Sequence, residues 1–238
     1  MAATYRQVFN RVLNILGEKD LPESATTVQG DYQLMVAGFM NMIKEEIDDA
    51  HNWRSLRKEI RVSVPIDAIT VTLPDTNERS RMIRLQDNTY RGLQPLAFDV
   101  TDAEDPTQLL ERDLANIIYR DRIDPTERAT DTLVYISMDD SSPTEEIDMF
   151  VWPRPANVRQ VEVHMTVPQP RLDDSMLDER VMIPVRALEL GTLWYAFEER
   201  GEELGTSAVF SEQRYRIALD DQIARDAEEQ GGYDLIPV

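Results

Sequence analysis

The sequence predicts an α+β protein in which helices from both ends form one bundle, discontinuous in the chain, and the stretch between them forms an inserted antiparallel β domain. Two patterns carry this. Apolar residues recur at three- and four-residue steps before residue 58, alternate from Glu59 onward, and return to helical spacing after residue 182. Neither terminal pair of helices can bury its apolar stripe alone, so the simplest packing joins the two pairs. The expected units are therefore 1–58 plus 183–238, helical, and 59–182, β-rich with one helix. A chain of 238 residues has enough length to bury roughly 70 to 75% of its unfolded surface.

The first helix takes Tyr5, Val8, Phe9, Val12, Leu13 and Leu16 as its apolar face, with Thr4 as N-cap and Gly17 as stop. The second starts near Asp31 and ends about Trp53. Its core stripe is read as Leu34, Met35, Phe39, Met42, Ile43, Ile47 and Ala50. Alternation in KEIRVSVP and ITVTLP then marks half-buried strands, followed by strand candidates RMIRLQD, TYRGLQPL, TLVYISM, EIDMFVWP and VRQVEVHMTVP. One helix is expected among them, in DPTQLLERDLANIIYRD, capped by Asp105 and Pro106 and carrying Leu109, Leu110, Leu114, Ile117 and Ile118. After Pro184 a broad apolar face of Ala187, Leu188, Trp194, Tyr195 and Phe197 predicts a fourth helix. The last is expected to start at a Ser211 cap, carry Tyr215, Ala218, Leu219 and Ile223, and stop at Gly231 and Gly232.

The formal charge of −20 is uneven: 8 acids against 7 bases in residues 1–58, 25 against 13 in 59–185, and 12 against 5 in 186–238. High-affinity nucleic-acid binding needs a basic footprint that this distribution lacks, whereas an acidic surface repels DNA and lets it slide past. Lys19, Lys44 and Lys58 are the only lysines beside 22 arginines. No apolar run is long enough to span a membrane, no export signal opens the sequence, and there is no cysteine. A soluble, unexported protein is expected.

Sequence motifs for chemistry are sparse. Asp48 and His51 stand one helical turn apart, half of a metal site without further ligands at matching spacing. His164 lies on the polar phase of its strand with Glu162 and Thr166, as a solvent-facing or interfacial residue. No G-x-S-x-G elbow, phosphate-binding glycine loop or EF-hand pattern occurs, and MDDSSPTEEID reads as an acidic turn. No catalytic residue, cofactor or metal is therefore assigned. In EIDMFVWP both faces are apolar, Ile147, Met149 and Val151 on one and Phe150 and Trp152 on the other. The strand is either internal to a sandwich or covered by a second layer or a neighbouring subunit.

Taken in order, the helix ending LNILGE, the linker LPESATTVQGD, HNWRSLRKEIRVSV, FVWPRP leading to VPQPRL, IPVRALELGTLWYAFEERG and the closing EEQGGYD resemble the podovirus head-to-tail adaptor family, the tail tubular protein A-like proteins. Relative to the shortest members, RGLQPLAFDVTDAEDPTQLLERD expands the β insertion. The resemblance implies a structural virion protein and not an enzyme. It implies a homo-oligomeric ring, a dodecamer, docked under the portal protein and offering a platform to the downstream tail nozzle or tube protein. The ring would sit in the virion neck, assembled in the host cytoplasm, and form part of the DNA ejection channel. On this reading the apolar tail Tyr233, Leu235, Ile236 and Val238 is buried against the portal or an adjacent subunit. Glu198, Glu199, Asp220, Asp221 and Asp226 line or rim the channel, and Phe150 and Trp152 face a neighbouring subunit. The alternatives are a tail or baseplate β component binding host glycan through aromatics such as Trp152 and Tyr90, or a carboxylate glycoside hydrolase.

Overall fold

The computed structural model describes residues 3–87, 92–123, 132–139, 146–171, 177–200 and 208–229, a mixed α+β chain with five helices and two antiparallel-rich sheets among them. Two compact units divide it. Among the described residues, one is formed by those up to Leu56 together with those from Gln169 to Glu229, the other by Arg57–Pro168.

The helical unit contains α1 (Tyr5–Ile15), α2 (Asp31–Ala50), a short 3-10 turn (Arg54–Leu56), α4 (Val185–Arg200) and α5 (Ala208–Glu229). α1 has a reciprocal capping box: the Gln7 amide donates to Thr4 Oγ1 at 3.3 Å and the Thr4 amide to Gln7 Oε1 at 3.1 Å. It stops at Gly17, whose φ of +73° favours glycine. Gly17 and Glu18 amides then return to the Asn14 and Leu13 carbonyls. One apolar core gathers Tyr5, Phe9 and Leu13 of α1, Met40, Ile43 and Ile47 of α2, Ala187, Leu188 and Ala196 of α4, and Tyr215 and Leu219 of α5.

Segment 177–181 runs beside the start of α1, with the amides of Tyr5 and Arg6 donating to the carbonyls of Glu179 and Leu177. Arg6, itself buried, clamps the Asp178 carboxylate with two nitrogens at 2.9 and 3.1 Å and donates to the carbonyls of Pro22 and Ala25, both at 2.8 Å. A fork of five donors can join three chain segments in this way and a lysine cannot. The hydrogen bonds from Arg6 come first, and its charge second, in holding the Asp178 carboxyl below the ordinary value near 3.8. Because the folded value is depressed, the contribution is fully present above the unfolded value and is lost as pH falls through the lower, folded one. Carboxyl-detected titration is expected to place the Asp178 midpoint below that of an exposed aspartate, and Arg6→Gln to return it to the ordinary value.

In α2 the buried stripe is Val36, Met40, Ile43, Lys44, Ile47 and Asp48. Leu34 and Met42, expected in the core, are instead 54% and 51% exposed. The phase shift has a local cause: Lys44 and Asp48 pair with each other and face inward, carrying the helix's buried side toward them. α5 begins three residues before the expected Ser211 cap. Arg214 lies over the ring of Phe210 one turn earlier, at 5.8 Å, a pairing that continues the helix through the serine.

The second unit holds β1 (Arg57–Val64), β2 (Thr70–Thr72), β3 (Arg81–Met82), β4 (Arg84–Asp87), β5 (Gly92–Pro95), β6 (Ala97–Asp99), β7 (Thr107–Gln108), β8 (Leu110–Glu111), α3 (Leu114–Ile123), β9 (Tyr135–Asp139), β10 (Asp148–Trp152) and β11 (Arg159–Thr166). One sheet runs β1-β11-β6-β7 with β3 also on β11, another runs β2-β10-β9-β8, and β4-β5 is a hairpin. β1 and β11 pair from Arg57↔Thr166 to Val64↔Arg159. Ile60, Val64, Val161, Val163 and Met165 of the first sheet share a core with Ile136, Met149 and Val151 of the second and with Leu73, which follows β2. The helix expected from Asp105 forms only from Leu114. Two short strands, β7 and β8, flank Leu109 instead, because Leu109 is buried in the sheet core and its neighbours take ladder bonds, while the Asp113 carboxylate accepts the Ala115 amide at 2.7 Å to start α3.

Candidate functional site

Asp48 and His51 do not act together. Lys44 Nζ donates to Asp48 Oδ2 at 2.8 Å and to the Gln169 carbonyl at 2.5 Å, with Lys44 only 1% exposed and Asp48 fully buried. Burial above all, and the Asp48 charge next, push the Tyr5 phenol above its ordinary value, so this corner is a neutral hydroxyl beside a closed ion pair. The His51 ring meets Asp226 Oδ2 at 3.0 Å and Trp53 edge-on at a centroid distance of 4.9 Å. Among the described residues no three His, Asp or Glu side chains gather to hold a metal ion. In the β unit, His164 Nε2 lies 3.1 Å from Glu162 Oε1 and its ring is edge-on to Phe98, a strand-surface pair.

The residues read as functional from the sequence separate in space by their partners. Glu198 and Glu199 are exposed in the last turns of α4, and Asp220 and Asp221 are exposed on α5. Asp226 is committed internally: besides His51 it accepts the Arg54 amide at 3.3 Å, tying the end of α5 to the chain leaving α2. Trp152 is 7% exposed and covered by its own unit, stacked on Tyr135 at 5.7 Å with the Arg120 guanidinium of α3 5.3 Å from its ring. α3 is fastened by a bidentate pair from Arg154 to Asp121 at 2.5 and 2.6 Å. It supplies the second layer over the aromatic face of β10, where Phe150 is half-buried. Tyr90 and the tail residues Tyr233, Leu235, Ile236 and Val238 lie outside the described residues.

One concave surface stands out in the helical unit. A groove of about 200 Å³ between α4 and α5 is lined by Arg186 and Leu190 on one wall and by Arg214, Ile217, Asp221 and Arg225 on the other. Among the described residues none of these three arginines forms an ion pair; Arg214 rests on the Phe210 ring instead. A net positive groove is unusual on a chain with a formal charge of −20. Its lining residues include no serine, lysine or histidine, and its one carboxylate, Asp221, stands among the arginines. It offers planar guanidinium donors around an apolar floor, an arrangement for docking carboxylates beside apolar side chains.

Sequence reading missed this groove. The available signal was the arginine set itself: Arg214 and Arg225 at helical phase with Ile217, and Arg186 one turn before Leu190. It was submerged by the acidic average of the last 53 residues. In comparisons with known proteins, the chain matches no family model and no curated sequence.

Proposed function

We propose that the chain is a structural virion protein, a head-to-tail adaptor whose copies form a ring between a portal and a tail protein and leave a passage for DNA. The observation that carries the reading is the shared core of the helical unit, to which α1 and α2 contribute from one end of the chain and α4 and α5 from the other. We read this as a discontinuous helical bundle from which an inserted β domain leaves and to which it returns, so that copies of the bundle can associate while the insertion stays intact. The order of sequence segments that resembles the adaptor family supports the same reading.

The direct test is projection imaging and native mass measurement of the protein mixed with the portal of its own particle. A closed ring complex of many copies is the expected result, and a persistent small oligomer with hydrolytic activity on cell-wall material overturns the reading.

On this reading the exposed acids face the passage. Replacing Glu198, Glu199 and Asp220 by lysine is expected to slow genome ejection, because cations on a conduit wall hold phosphates that acids repel. Ejection followed by dye release from purified particles measures it, and ejection at the native rate removes the acids from the passage. Asp226 is left out of this set, since its replacement would break the His51 contact.

A further inference from the structure

Two exposed faces of the helical unit are complementary to each other. On α2, Asp31, Leu34, Gly38, Met42, Glu46 and Asp49 follow at three- and four-residue steps, and all are exposed. Gly38 stands at the centre of this stripe. A Cβ added there would meet nothing within 4 Å, and its backbone lies outside the left-handed region, so neither crowding nor φ requires glycine. Glycine weakens a helix interior. What its presence provides is a dent with apolar rims, Leu34 on one side and Met42 on the other, open to a side chain from outside.

The second face is the α4–α5 groove. Along α5, Phe210, Arg214, Ile217 and Arg225 keep the same helical phase, with Phe210 56% and Ile217 54% exposed. Arg186 stands across the groove. Leu34 to Met42 spans roughly 12 Å of helix and Phe210 to Ile217 roughly 10 Å, so the apolar stretches match in length. The α2 stripe carries Asp31 at one end and, at the other, Glu46, which also lies beside Tyr215 and Arg216 of its own α5, and the groove carries arginines beside and beyond its apolar stretch.

We propose that these faces are the two halves of one contact, the α2 stripe of one copy seating in the α4–α5 groove of the next. Ile217 enters the dent at Gly38, and Arg186, Arg214 and Arg225 meet the acids that flank it. The groove is lined by residues of α4 and α5 and by none of α2, so each chain carries both halves and can use them at once. Such a contact is heterologous: it propagates head to tail and closes into a ring where the rotation permits. This inference names the subunit contact of the adaptor reading, but it is argued from the two faces themselves.

The test uses the full chain in sedimentation velocity and native mass spectrometry over a range of protein and salt concentrations. Self-association that rises with concentration and weakens with salt is expected. Two variants each disable one half: Arg214→Glu with Arg225→Glu in the groove, and Gly38→Gln on α2. Each alone is expected to remain monomeric, the groove variant with an unchanged thermal midpoint and Gly38→Gln with one at or above native, and an equimolar mixture to form a dimer and stop there, since each variant keeps the half that the other lacks. Three results overturn the proposal: a wild-type chain that stays monomeric at the highest soluble concentration, either variant associating like wild type, or a mixture that remains monomeric. Groove variants that alter only the binding of a different, acidic partner protein overturn it as well. Normal portal-bound rings from both variants would remove this contact and leave the adaptor reading in place. Salt-sensitive self-association through these faces without portal binding would do the reverse.

Discussion

Replacing Lys44 by methionine is expected to lower folding stability by about 3 to 5 kcal/mol, the effect of leaving a buried charge without its partner. Asp48 has no access to solvent, and its contact with Lys44 Nζ is 2.8 Å. Methionine keeps the apolar length of the lysine stem, so the loss reports the ammonium and not the packing. Replacing both residues, Lys44→Met with Asp48→Leu, removes both desolvation penalties together. The double variant also deprives the Gln169 carbonyl of its donor at 2.5 Å, a loss of about 1 to 3 kcal/mol. It is therefore expected to fall within about 2 kcal/mol of the native chain and well above the single variant. Urea unfolding of the two single variants and the double variant gives the coupling. A double variant as weak as its two single losses combined would mean that the two charges act independently.

The second large effect is expected at Gly191, where α4 meets α2. A Cβ built there would stand 2.6 Å from Ile43 Cγ2, and Ile43 is fully buried with its branched carbon held close to the α2 backbone. Leucine at this position gains about 1 kcal/mol of helix propensity over glycine but overpacks the contact, which typically costs about 1 to 3 kcal/mol and more where neither helix can shift. Gly191→Leu is expected to destabilise on balance. The compensating variant Ile43→Ala with Gly191→Ala is expected to lose less than Ile43→Ala alone, for which about 2 to 5 kcal/mol is the ordinary range. Thermal unfolding of this set checks it, and a Gly191→Leu chain at least as stable as native would show that the helices can separate freely here. The contrast with Gly38 on α2 is instructive: one glycine has an isoleucine against it and the other has open space.

Much of the order of elements was legible because it is written in local spacing. The Thr4 cap and the Gly17 stop bound α1 through interactions within a few residues of each other, and the alternation in KEIRVSVP and VRQVEVHMTVP gives two strands that pair along their whole length. The face of α2 was not legible in the same way. Its apolar residues surround the helix widely enough to permit more than one buried side. A reading by polarity places Lys44 and Asp48 in solvent and rotates the stripe toward Leu34 and Met42. Likewise Leu109 fits a helix by spacing, but a vacancy in the sheet core claims it for a strand edge. Trp152 signalled a covering layer without saying whose, and α3 of the same unit provides it.

The sequence by itself determined the period of each segment, its caps and breaks, and an acidic chain without a recognisable reactive motif. These follow from steric and hydrogen-bonding preferences that act over a few residues. Only the tertiary structure decided which side of α2 is buried, that Asp226 serves His51, and that three arginines from two helices of an acidic segment converge on one groove. The inward turn of Lys44 and the pairing of Asp226 depend on partners more than a hundred residues away, the Gln169 carbonyl and His51, and such partners exist only once the helices have packed.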